Sequence, residues 1–226
     1  MLQKYAWLLA ALLVSSPLLA QRKESPNFVR MAILATDMNR NIAPGTGVPQ
    51  VKPGFSFGMG RNFVLANGVN LQPSLEYTPR GYRARRNLTD STYFRSWNAL
   101  HYVDFALTLG LSVGGYTKFY VDAAPYVAFG MFGRNRLTDQ QVRTLEDTAG
   151  RFVRRLDNRV TDINPFRNEL KRWDYGYRVS MGLRRNGTVV GIMYSEGLAD
   201  LHRRDTFFVR NRTFGIFLTS LFDDMF

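Results

Sequence analysis

The sequence predicts an all-β fold, an eight-stranded antiparallel up-and-down transmembrane β-barrel, on three observations. Eight segments of the 226-residue chain alternate apolar and polar residues with a period of two. The connections between these segments alternate strictly between short and long. A segment with the pattern of a secretory leader precedes them, which indicates that the protein is exported.

The composition excludes several classes of protein. The chain carries 30 Lys and Arg against 18 Asp and Glu, a formal net charge of +12, and it contains no cysteine. A disulfide scaffold, a thiolate metal site and a cysteine nucleophile are therefore excluded. A strongly basic chain ordinarily suggests a polyanionic partner. Because the leader directs this chain out of the cytoplasm, we do not expect that partner to be nucleic acid.

Residues 1–20 have the pattern of a cleaved signal peptide. Lys4 supplies the positive charge, an apolar run covers residues 6–14, and Pro17 interrupts this run before Ala20, where we expect cleavage. An uncleaved N-terminal membrane anchor is the alternative, which the shortness of the apolar run disfavours. The mature chain is then expected to be a single barrel domain over residues 21–226.

The first four alternating segments cover 28–38, 54–60, 69–80 and 102–113. Within residues 69–78 every odd position is apolar and every even position is polar, which is typical of a strand with two different faces. The apolar faces of the four segments are formed by Val29, Met31, Ile33 and Ala35, by Phe55, Phe57 and Met59, by Val69, Leu71, Pro73, Leu75 and Tyr77, and by Val103, Phe105, Leu107, Leu109, Leu111 and Val113.

The last four segments cover 118–131, 172–184, 190–194 and 213–222. Their apolar faces are formed by Phe119, Val121, Ala123, Pro125, Val127, Phe129 and Met131, by Trp173, Tyr175, Tyr177, Val179, Met181 and Leu183, by Val190, Ile192 and Tyr194, and by Phe214, Ile216, Leu218 and Phe222. Strands of globular proteins average about five or six residues. A tilted strand that crosses a membrane needs about nine to eleven, and several of these segments are that long.

The connections favour a membrane barrel over a soluble β fold. Tight turns are predicted at 66–68, 114–116 and 185–187, two of them with the Asn-Gly pair that favours hairpins. Long loops are predicted at 39–50, 80–98, 133–170 and 197–207. This alternation is that of an outer-membrane barrel with short periplasmic turns, long extracellular loops and both termini in the periplasm. The terminal Phe226, in phase with the apolar face of the last segment, is typical of such barrels.

Four motifs resemble those of the PorT-like outer-membrane β-barrel family of Bacteroidetes-type bacteria. In chain order they are Leu71-Gln72-Pro73-Ser74-Leu75-Glu76-Tyr77 followed by Arg80-Gly81, then Leu100-His101-Tyr102-Val103-Asp104-Phe105, then Phe119-Tyr120-Val121-Asp122-Ala123-Ala124-Pro125-Tyr126-Val127, and finally Tyr194-Ser195-Glu196-Gly197-Leu198-Ala199-Asp200. The resemblance covers roughly residues 50–222. The chain departs from the family pattern at Ala106, where a proline is usual, and at Ala124, where a glycine is usual.

The resemblance implies an eight-stranded, single-domain barrel in the outer membrane of a Gram-negative bacterium. The named member of this family takes part in protein export by type IX secretion, so association with a secretion assembly is one implied role. Most other members have no assigned activity. The resemblance therefore carries information on fold and location far more than on function.

The polar face of the predicted strands places charges of both signs inside the barrel. The inward set consists of Lys52, Glu76, Asp104, Lys118, Asp122, Arg172, Asp174, Arg178 and Arg184. Because an eight-stranded barrel is just wide enough to be filled by side chains, we expect these ions to pair. The predicted lumen charge network consists of Glu76, Asp104, Lys118, Asp122 and Arg178. A narrow ion or proton path is the alternative.

The long loops carry much of the positive charge. The segment 80–95 holds five arginines against the single acid Asp90, and we expect Arg83, Arg85 and Arg86 to contact the phosphates of lipid A or an acidic partner. In the loop over 133–170, a capping box at Thr138 and apolar residues at helical spacing up to Ile163 predict an amphipathic helix.

The sequence offers little for catalysis. His101 lies on the outward phase of a strand, and His202 lies in the last long loop near Ser195 and Asp200 at a spacing that is not diagnostic of a catalytic triad. We expect no catalytic residues, no cofactor and no metal site. The expected function is that of a non-enzymatic, monomeric envelope protein whose partners are outer-membrane lipid, lipopolysaccharide and other envelope proteins. The alternatives are a small transporter or channel and an envelope lipid-modifying enzyme.

Overall fold

The computed structural model describes residues 26–40, 48–89, 92–146, 152–203 and 208–222. The predicted signal peptide and Phe226 lie outside these ranges. The described strands are β1 (Asn27–Arg40), β2 (Val48–Gln50), β3 (Lys52–Arg61), β4 (Phe63–Ala66), β5 (Val69–Thr89), β6 (Thr92–Gly114), β7 (Lys118–Glu146), β8 (Phe152–Ile163), β9 (Trp173–Arg185), β10 (Thr188–Gly197) and β11 (Val209–Phe222). One short helix, α1 (Pro165–Asn168), lies between β8 and β9.

The strand pairings of the described residues form a ring. β1 pairs with β11 on one side and with β3 on the other, and the path from β11 through β10, β9, β7, β6 and β5 returns to β3. Every pairing along this path is antiparallel. β2 and β4 also pair with β5, and β8 pairs with the far part of β7. A closed ring leaves its strands without an open edge.

Side chains alternate between the inside and the outside of the ring, and the polarity is inverted relative to a soluble protein. In β9, Asp174 is fully buried while its neighbour Trp173 is 62% exposed. The buried inward positions are rich in polar and charged residues. Large apolar side chains on the outside remain exposed, among them Ile33, Phe55, Leu75, Phe105, Leu109, Phe119, Tyr175, Ile192 and Ile216. The predicted strand segments all lie in these strands, except that Arg172 precedes β9.

Three tight turns lie at one end of the ring, which we call the turn end. They connect β4 to β5 at Asn67–Gly68, β6 to β7 at residues 115–117, and β9 to β10 at Asn186–Gly187. Asn186 and Gly187 have φ angles of 47° and 78°. Two consecutive positive φ angles match the twist of a hairpin, which explains the Asn-Gly pair at this turn.

The opposite end, which we call the loop end, differs from the sequence prediction. Most of the predicted loop over 80–98 is strand, because β5 continues to Thr89 and β6 begins at Thr92. The two strands stay in register from Arg80, opposite Leu100, to Asn87, opposite Tyr93, with Arg83 opposite Trp97. Cross-strand hydrogen bonds satisfy the backbone here, and the inward Tyr82 is buried.

The amphipathic helix predicted within 138–163 is also wrong. These residues form a hairpin of β7 and β8, paired from Asn135 opposite Ile163 to Glu146 opposite Phe152. The residues that produced the helical spacing include many β-branched and aromatic side chains, which favour strands. Among the described residues of this connection, the helical part is the four residues of α1, where the Asn164 side chain accepts a hydrogen bond from the Phe166 backbone N–H at 3.1 Å.

An apolar cap fills the loop end of the ring. We define this cap as residues 164–172 and 198–203. The Lys171 N–H donates to the Leu201 carbonyl at 2.7 Å and so joins its two halves. Phe166, Leu170 and Leu201 are buried in one cluster with inward residues of β5, β6 and β7. Within the described residues, no helix combines the length and the apolar character that a membrane crossing requires.

The fit of Phe166 against β7 leads to a prediction about the cap. A Cβ atom built on Gly130 would lie 2.4 Å from the Phe166 ring, so Gly130→Ala must displace this ring. We expect the free energy of unfolding to fall by about 1–3 kcal/mol. Equilibrium urea unfolding followed by tryptophan fluorescence measures this change. Adding Phe166→Leu should recover part of the loss, whereas strictly additive effects of the two substitutions would contradict the proposed contact.

Candidate functional site

Charged residues gather on both sides of the ring wall. The lumen network, defined here as Arg30, Glu76, Arg80, Asp104, Asp122, Asp174 and Arg178, lies inside the ring. The arginine row, defined here as Arg83, Trp97, Arg134, Arg136 and Asp162, lies on the outside beyond the tyrosine, phenylalanine and tryptophan side chains of the wall.

The lumen network contains three groups of ion pairs, which we call centres. The centre nearest the cap is formed around Arg80. Its guanidinium donates to the Oδ2 atoms of Asp104 at 2.5 Å and Asp174 at 2.9 Å. It also lies 4.8 Å from the ring centroids of Tyr102 and Tyr126. Because β5, β6, β7 and β9 all contribute to these contacts, this one side chain ties together a large part of the ring.

Glu76 and Arg178 form a second centre across the lumen. The two nitrogen atoms of the Arg178 guanidinium donate to the two carboxylate oxygens of Glu76 at 2.5 and 2.9 Å. The Ser74 hydroxyl donates to the same carboxylate at 2.9 Å. This forked geometry is the strongest form of an arginine–carboxylate pair. β5 and β9 are not neighbours in the ring. The ion pair therefore crosses the interior and does not join two adjacent, hydrogen-bonded strands.

Arg30 and Asp122 form the third centre, closer to the turn end. Arg30 donates to Asp122 at 3.3 Å and to the Thr219 hydroxyl at 3.0 Å, and its guanidinium lies 5.0 Å from the Phe217 ring centroid. Lys118 was predicted to belong to the network, but it lies at the turn end, where it lines a pocket. Within the described residues, it forms no ion pair with the three centres.

Sequence reasoning missed several members of the lumen network. Arg80 was counted among the basic residues of a loop, because its strand was expected to end there. Arg30 lies on the strand with the weakest alternation, and Asn211, which donates to Asp174 at 2.7 Å, is uncharged. Even-numbered residues of β5, such as Glu76, face inward. If β5 is extended past residue 80, the same alternation predicts that Arg80 also faces inward.

The arginine row crosses four strands on the outer face. Arg83 of β5 pairs with Trp97 of β6, which pairs with Arg136 of β7, which in turn pairs with Asp162 of β8. The Arg83 guanidinium stacks 4.0 Å from the Trp97 ring centroid. A pocket of about 270 Å³ lies between Trp97, Arg134 and Arg136. Arginine and tryptophan side chains thus form one continuous cationic and aromatic surface.

Asp162 holds two of these arginines in place. It accepts hydrogen bonds from Arg134 and, at 3.4 Å, from Arg136. The hydrogen bond from the Arg134 guanidinium, helped by the charges of both arginines, keeps the pKa of the Asp162 carboxyl below its usual range. The row therefore contains three guanidinium groups and one carboxylate, which leaves it an excess of positive charge at neutral pH.

A β-bulge aims Arg134 and Arg136 outward. The β6–β7 register shifts between His101, which pairs with Phe132, and Tyr102, which pairs with Gly130, so Met131 is the extra residue. Met131 and Phe132 are consequently both exposed, and the phase of β7 reverses beyond them.

Arg172 stabilises this bulge. Its guanidinium donates to the carbonyls of Gly130 and Met131, each at 2.9 Å. Arg172 was predicted to point into the lumen, and the structure instead places it at the edge of the cap, half-buried, with its guanidinium 5.5 Å from the Phe166 ring centroid.

Aromatic side chains lie between the arginine row and the apolar outer wall. His101 stacks on Phe132 at 4.3 Å and on Tyr77 at 5.8 Å between ring centroids. Phe129 packs edge-on against Trp173 at 5.0 Å. His101 is thus part of an outward aromatic cluster, as its strand phase predicted.

For two of the predicted contact residues, the structure describes the backbone but not the side chain. The backbones of Arg85 and Arg86 lie in β5, but their side chains lie outside the described residues. Arg83, the third member of that set, belongs to the arginine row.

The residues of the weak catalytic candidate lie in two places, Ser195 in β10 and Asp200 and His202 in the cap. Asp200 accepts hydrogen bonds from the backbone N–H groups of His202 and Val209, each at 3.1 Å, so it orders the cap. Ser195 is buried in β10, in register between Arg178 and Thr213. In the part of the chain that the structure describes, no group of three or more His, Asp and Glu side chains is arranged to hold a metal ion.

Comparison with known proteins identifies one family. The model of the outer membrane protein β-barrel domain matches residues 28–203. No curated protein matches the chain. Among solved structures, the chain is similar to Ail, the attachment invasion locus protein of Yersinia pestis, with 12% identity, coverage of 88% of this chain and 100% of that chain, and a TM-score of 0.41.

Two further solved structures are similar over most of the chain. Neisserial surface protein A shares 12% identity, with 89% of this chain and 100% of that chain covered and a TM-score of 0.42. The N-terminal β-barrel domain of Pseudomonas aeruginosa OprF shares 9% identity, with 87% and 99% covered and a TM-score of 0.27.

The forked pair inside the ring leads to a prediction. Glu76→Gln leaves the buried Arg178 guanidinium without its counter-ion and should lower the free energy of unfolding by about 3–5 kcal/mol. Replacing both residues, as in Glu76→Leu with Arg178→Met, should cost much less, because an apolar pair of similar volume leaves no isolated charge. Urea unfolding of the refolded protein measures both. A double variant as unstable as Glu76→Gln would contradict this account.

Proposed function

The chain belongs to the outer membrane protein β-barrel domain family, and from this premise we propose that it is a non-enzymatic, eight-stranded integral barrel that serves as a structural or interaction component of a Gram-negative outer membrane. The observation that carries the proposal is the inverted polarity of the ring, with ion pairs inside and large apolar side chains outside. In this arrangement the turn end and both termini face the periplasm, and the β5–β6 and β7–β8 hairpins extend from the cell surface.

The apolar outer wall has the dimensions of a bilayer core. On β6 the outward apolar side chains run from Val103 to Val113, a span of eleven residues. A tilted strand needs about nine to eleven residues to cross the hydrocarbon region. The cluster of Tyr77, His101 and Phe132 follows at the loop end, where aromatic side chains of such barrels occupy the membrane–water interface.

The arginine row lies at the level expected for lipid phosphates. On β6, Ala99 and Trp97 lie two and four residues beyond His101, and they pair with Arg134 and Arg136. At about 3.3 Å per residue the row begins roughly 7 Å and ends roughly 13 Å beyond the aromatic cluster along the strand. On a strand tilted by about 45° these distances become roughly 5 and 9 Å along the bilayer normal, and because the polar headgroup layer is about 5–8 Å thick on each side, the row begins within it.

The chemistry of the row suits a phosphorylated glycolipid. Guanidinium groups bind phosphate with two parallel hydrogen bonds, and Arg83, Arg134 and Arg136 present three of them around Trp97. The excess positive charge over Asp162 favours an anion. We therefore assign the outer-leaflet phosphates of lipid A as the partner of this row, with an acidic protein surface as the alternative occupant.

The resemblance to the PorT-like family of Bacteroidetes-type bacteria supports a more specific role. A plugged barrel anchored to lipopolysaccharide would act by binding other envelope proteins, and association with a type IX secretion assembly is one such role. Affinity purification from native outer membranes, followed by identification of the co-purified proteins, distinguishes this role from that of an isolated monomeric barrel.

The assignment of the arginine row predicts that Arg83→Gln with Arg136→Gln weakens binding of lipid A by about tenfold or more, because charge-assisted hydrogen bonds to phosphate are lost. Titration of the folded protein in uncharged detergent with labelled lipid A measures the affinity. Added salt should weaken binding by the wild-type protein more than binding by the variant.

The matched control for this experiment removes two exposed cations from the cap. Arg167→Gln with Lys171→Gln makes the same change in net charge at the same end of the ring, away from the row. Equal losses in both variants would contradict the assignment. A third variant, Arg85→Gln with Arg86→Gln, measures the contribution of the two remaining predicted contact residues.

The filled interior predicts that the protein does not conduct ions. The three ion-pair centres cross the lumen, and the apolar cap closes its loop end. In planar lipid bilayers the purified protein should therefore give no conductance steps above background. Reproducible unit conductance would contradict the proposal and favour a small channel or transporter. Release of fatty acid from labelled phospholipid would instead favour an envelope lipid-modifying enzyme.

A further inference from the structure

A second charged site lies at the turn end, where the lumen network does not reach. A pocket of about 540 Å³ opens between the three tight turns. Asn67, Tyr116 and Asn186 of these turns line it, together with inward side chains at the ends of the strands. The pocket is the mouth of the ring at this end, and among the residues that the structure describes it has no counterpart to the apolar cap of the loop end.

The charged side chains of the described residues that line this turn-end pocket are all basic. Lys118, Arg184 and Arg185 are among them, and no Asp or Glu of the described chain is. Lys118 and Arg184 are directly opposite each other in the β7–β9 ladder. Like charges in this position repel and destabilise a sheet. Among the described residues neither side chain forms an ion pair that would offset this repulsion.

The nearest acid along β7 is not available to these cations. Asp122 lies four residues beyond Lys118, and it is already paired with Arg30 at 3.3 Å. Within the described residues, Arg184 donates to the Ser112 hydroxyl at 3.4 Å. No acidic side chain of the described residues pairs with Lys118 or Arg184.

A buried amide adds an independent indication of a ligand. Asn70 lines the pocket and is 3% exposed, yet its Nδ2 donates no hydrogen bond within the described residues. An unpaired buried N–H group costs free energy. Together with Lys118 and Arg184, Asn70 makes the pocket a set of donors, which matches the oxygens of an anion.

Arg185 is held at the rim of the pocket. Its guanidinium donates to the Tyr116 hydroxyl at 2.6 Å and lies 4.3 Å from the ring centroid of the same residue. This contact joins the β6–β7 turn to the end of β9. It orders one side of the opening and adds a third positive charge close to it.

We propose that the turn-end pocket binds a small soluble anion carrying two or more phosphate or carboxylate groups. Lys118 and Arg184 bind its charged oxygens, the Asn70 amide donates a hydrogen bond, and Arg185 attracts it at the rim. Because the pocket opens along the axis of the ring and not on the apolar outer wall, the anion enters from solvent. The site is independent of the arginine row and of lipid A.

Calorimetric titration of the folded, full-length protein in uncharged detergent at low salt tests this proposal, with pyrophosphate and citrate as separate probes. The wild-type protein should bind at least one of them. Lys118→Gln with Arg184→Gln should weaken that binding at least tenfold, whereas Arg167→Gln with Lys171→Gln, with the same change in net charge, should leave it unchanged. Preference for pyrophosphate or for citrate identifies the phosphate or carboxylate chemistry of the ligand.

A second variant keeps the test informative if the first folds poorly. Asn70→Asp places a carboxylate beside the two cations, so it should abolish anion binding while it preserves the heat-modifiable migration of a folded barrel. The absence of binding of both probes to the wild-type protein would overturn the proposal. So would equal losses in the pocket and control variants.

The chain's own C-terminus is the competing occupant. The Leu221 N–H donates to the Gly187 carbonyl at 3.0 Å, so β11 ends beside the pocket, and Asp223 and Asp224 follow in the sequence. Anion binding that appears only after Asp223→Asn with Asp224→Asn would also overturn the proposal, because the tail would then supply the anion.

Discussion

The pairing of β1 with β11 is the constraint on which the rest of the structure depends. The two strands stay in register from Asn27 opposite Phe222 to Arg40 opposite Val209, and this ladder closes the sheet. Once the sheet is closed, the strands of the ring have hydrogen-bonding partners on both sides. A lipid environment requires this closure, since it offers no water to an open edge. Every side chain of a ring strand then faces either the narrow interior or the outside of the ring. This explains why polar and apolar residues alternate along each strand with a period of two.

The narrow interior explains why the charges inside are paired across the lumen. Glu76 and Arg178 are 102 residues apart in the chain, and Arg30 and Asp122 are 92 apart. A buried charge without a partner is strongly unfavourable, so each pair favours one alignment of opposite walls. The two ends differ. An apolar cap around Phe166 closes the loop end, while basic side chains line a pocket at the turn end.

One extra residue in β7 determines the character of the outer surface at the loop end. The bulge at Met131 reverses the phase of the strand, so that Arg134 and Arg136 face outward and Asn135 is buried, where it accepts a hydrogen bond from Ser96 at 3.1 Å. Arg172 binds the carbonyls of the bulge, and the same residue lies against Phe166 of the cap. The cap and the arginine row therefore share one structural support.

The sequence by itself determined the strands that form the ring, their two faces and the tight turns, because alternation and Asn-Gly turn chemistry are local properties of the chain. It also determined that Glu76, Asp104, Asp122 and Arg178 lie on the inward phase. Only the tertiary structure decided where the strands end, since the extensions of β5, β6 and β7 are stabilised by their neighbours across the sheet. For the same reason, only the tertiary structure determined the positions of two arginine side chains. Arg80 is buried between Asp104 and Asp174, and Arg136 lies opposite Trp97 after a bulge, and both results depend on pairing between residues far apart in sequence.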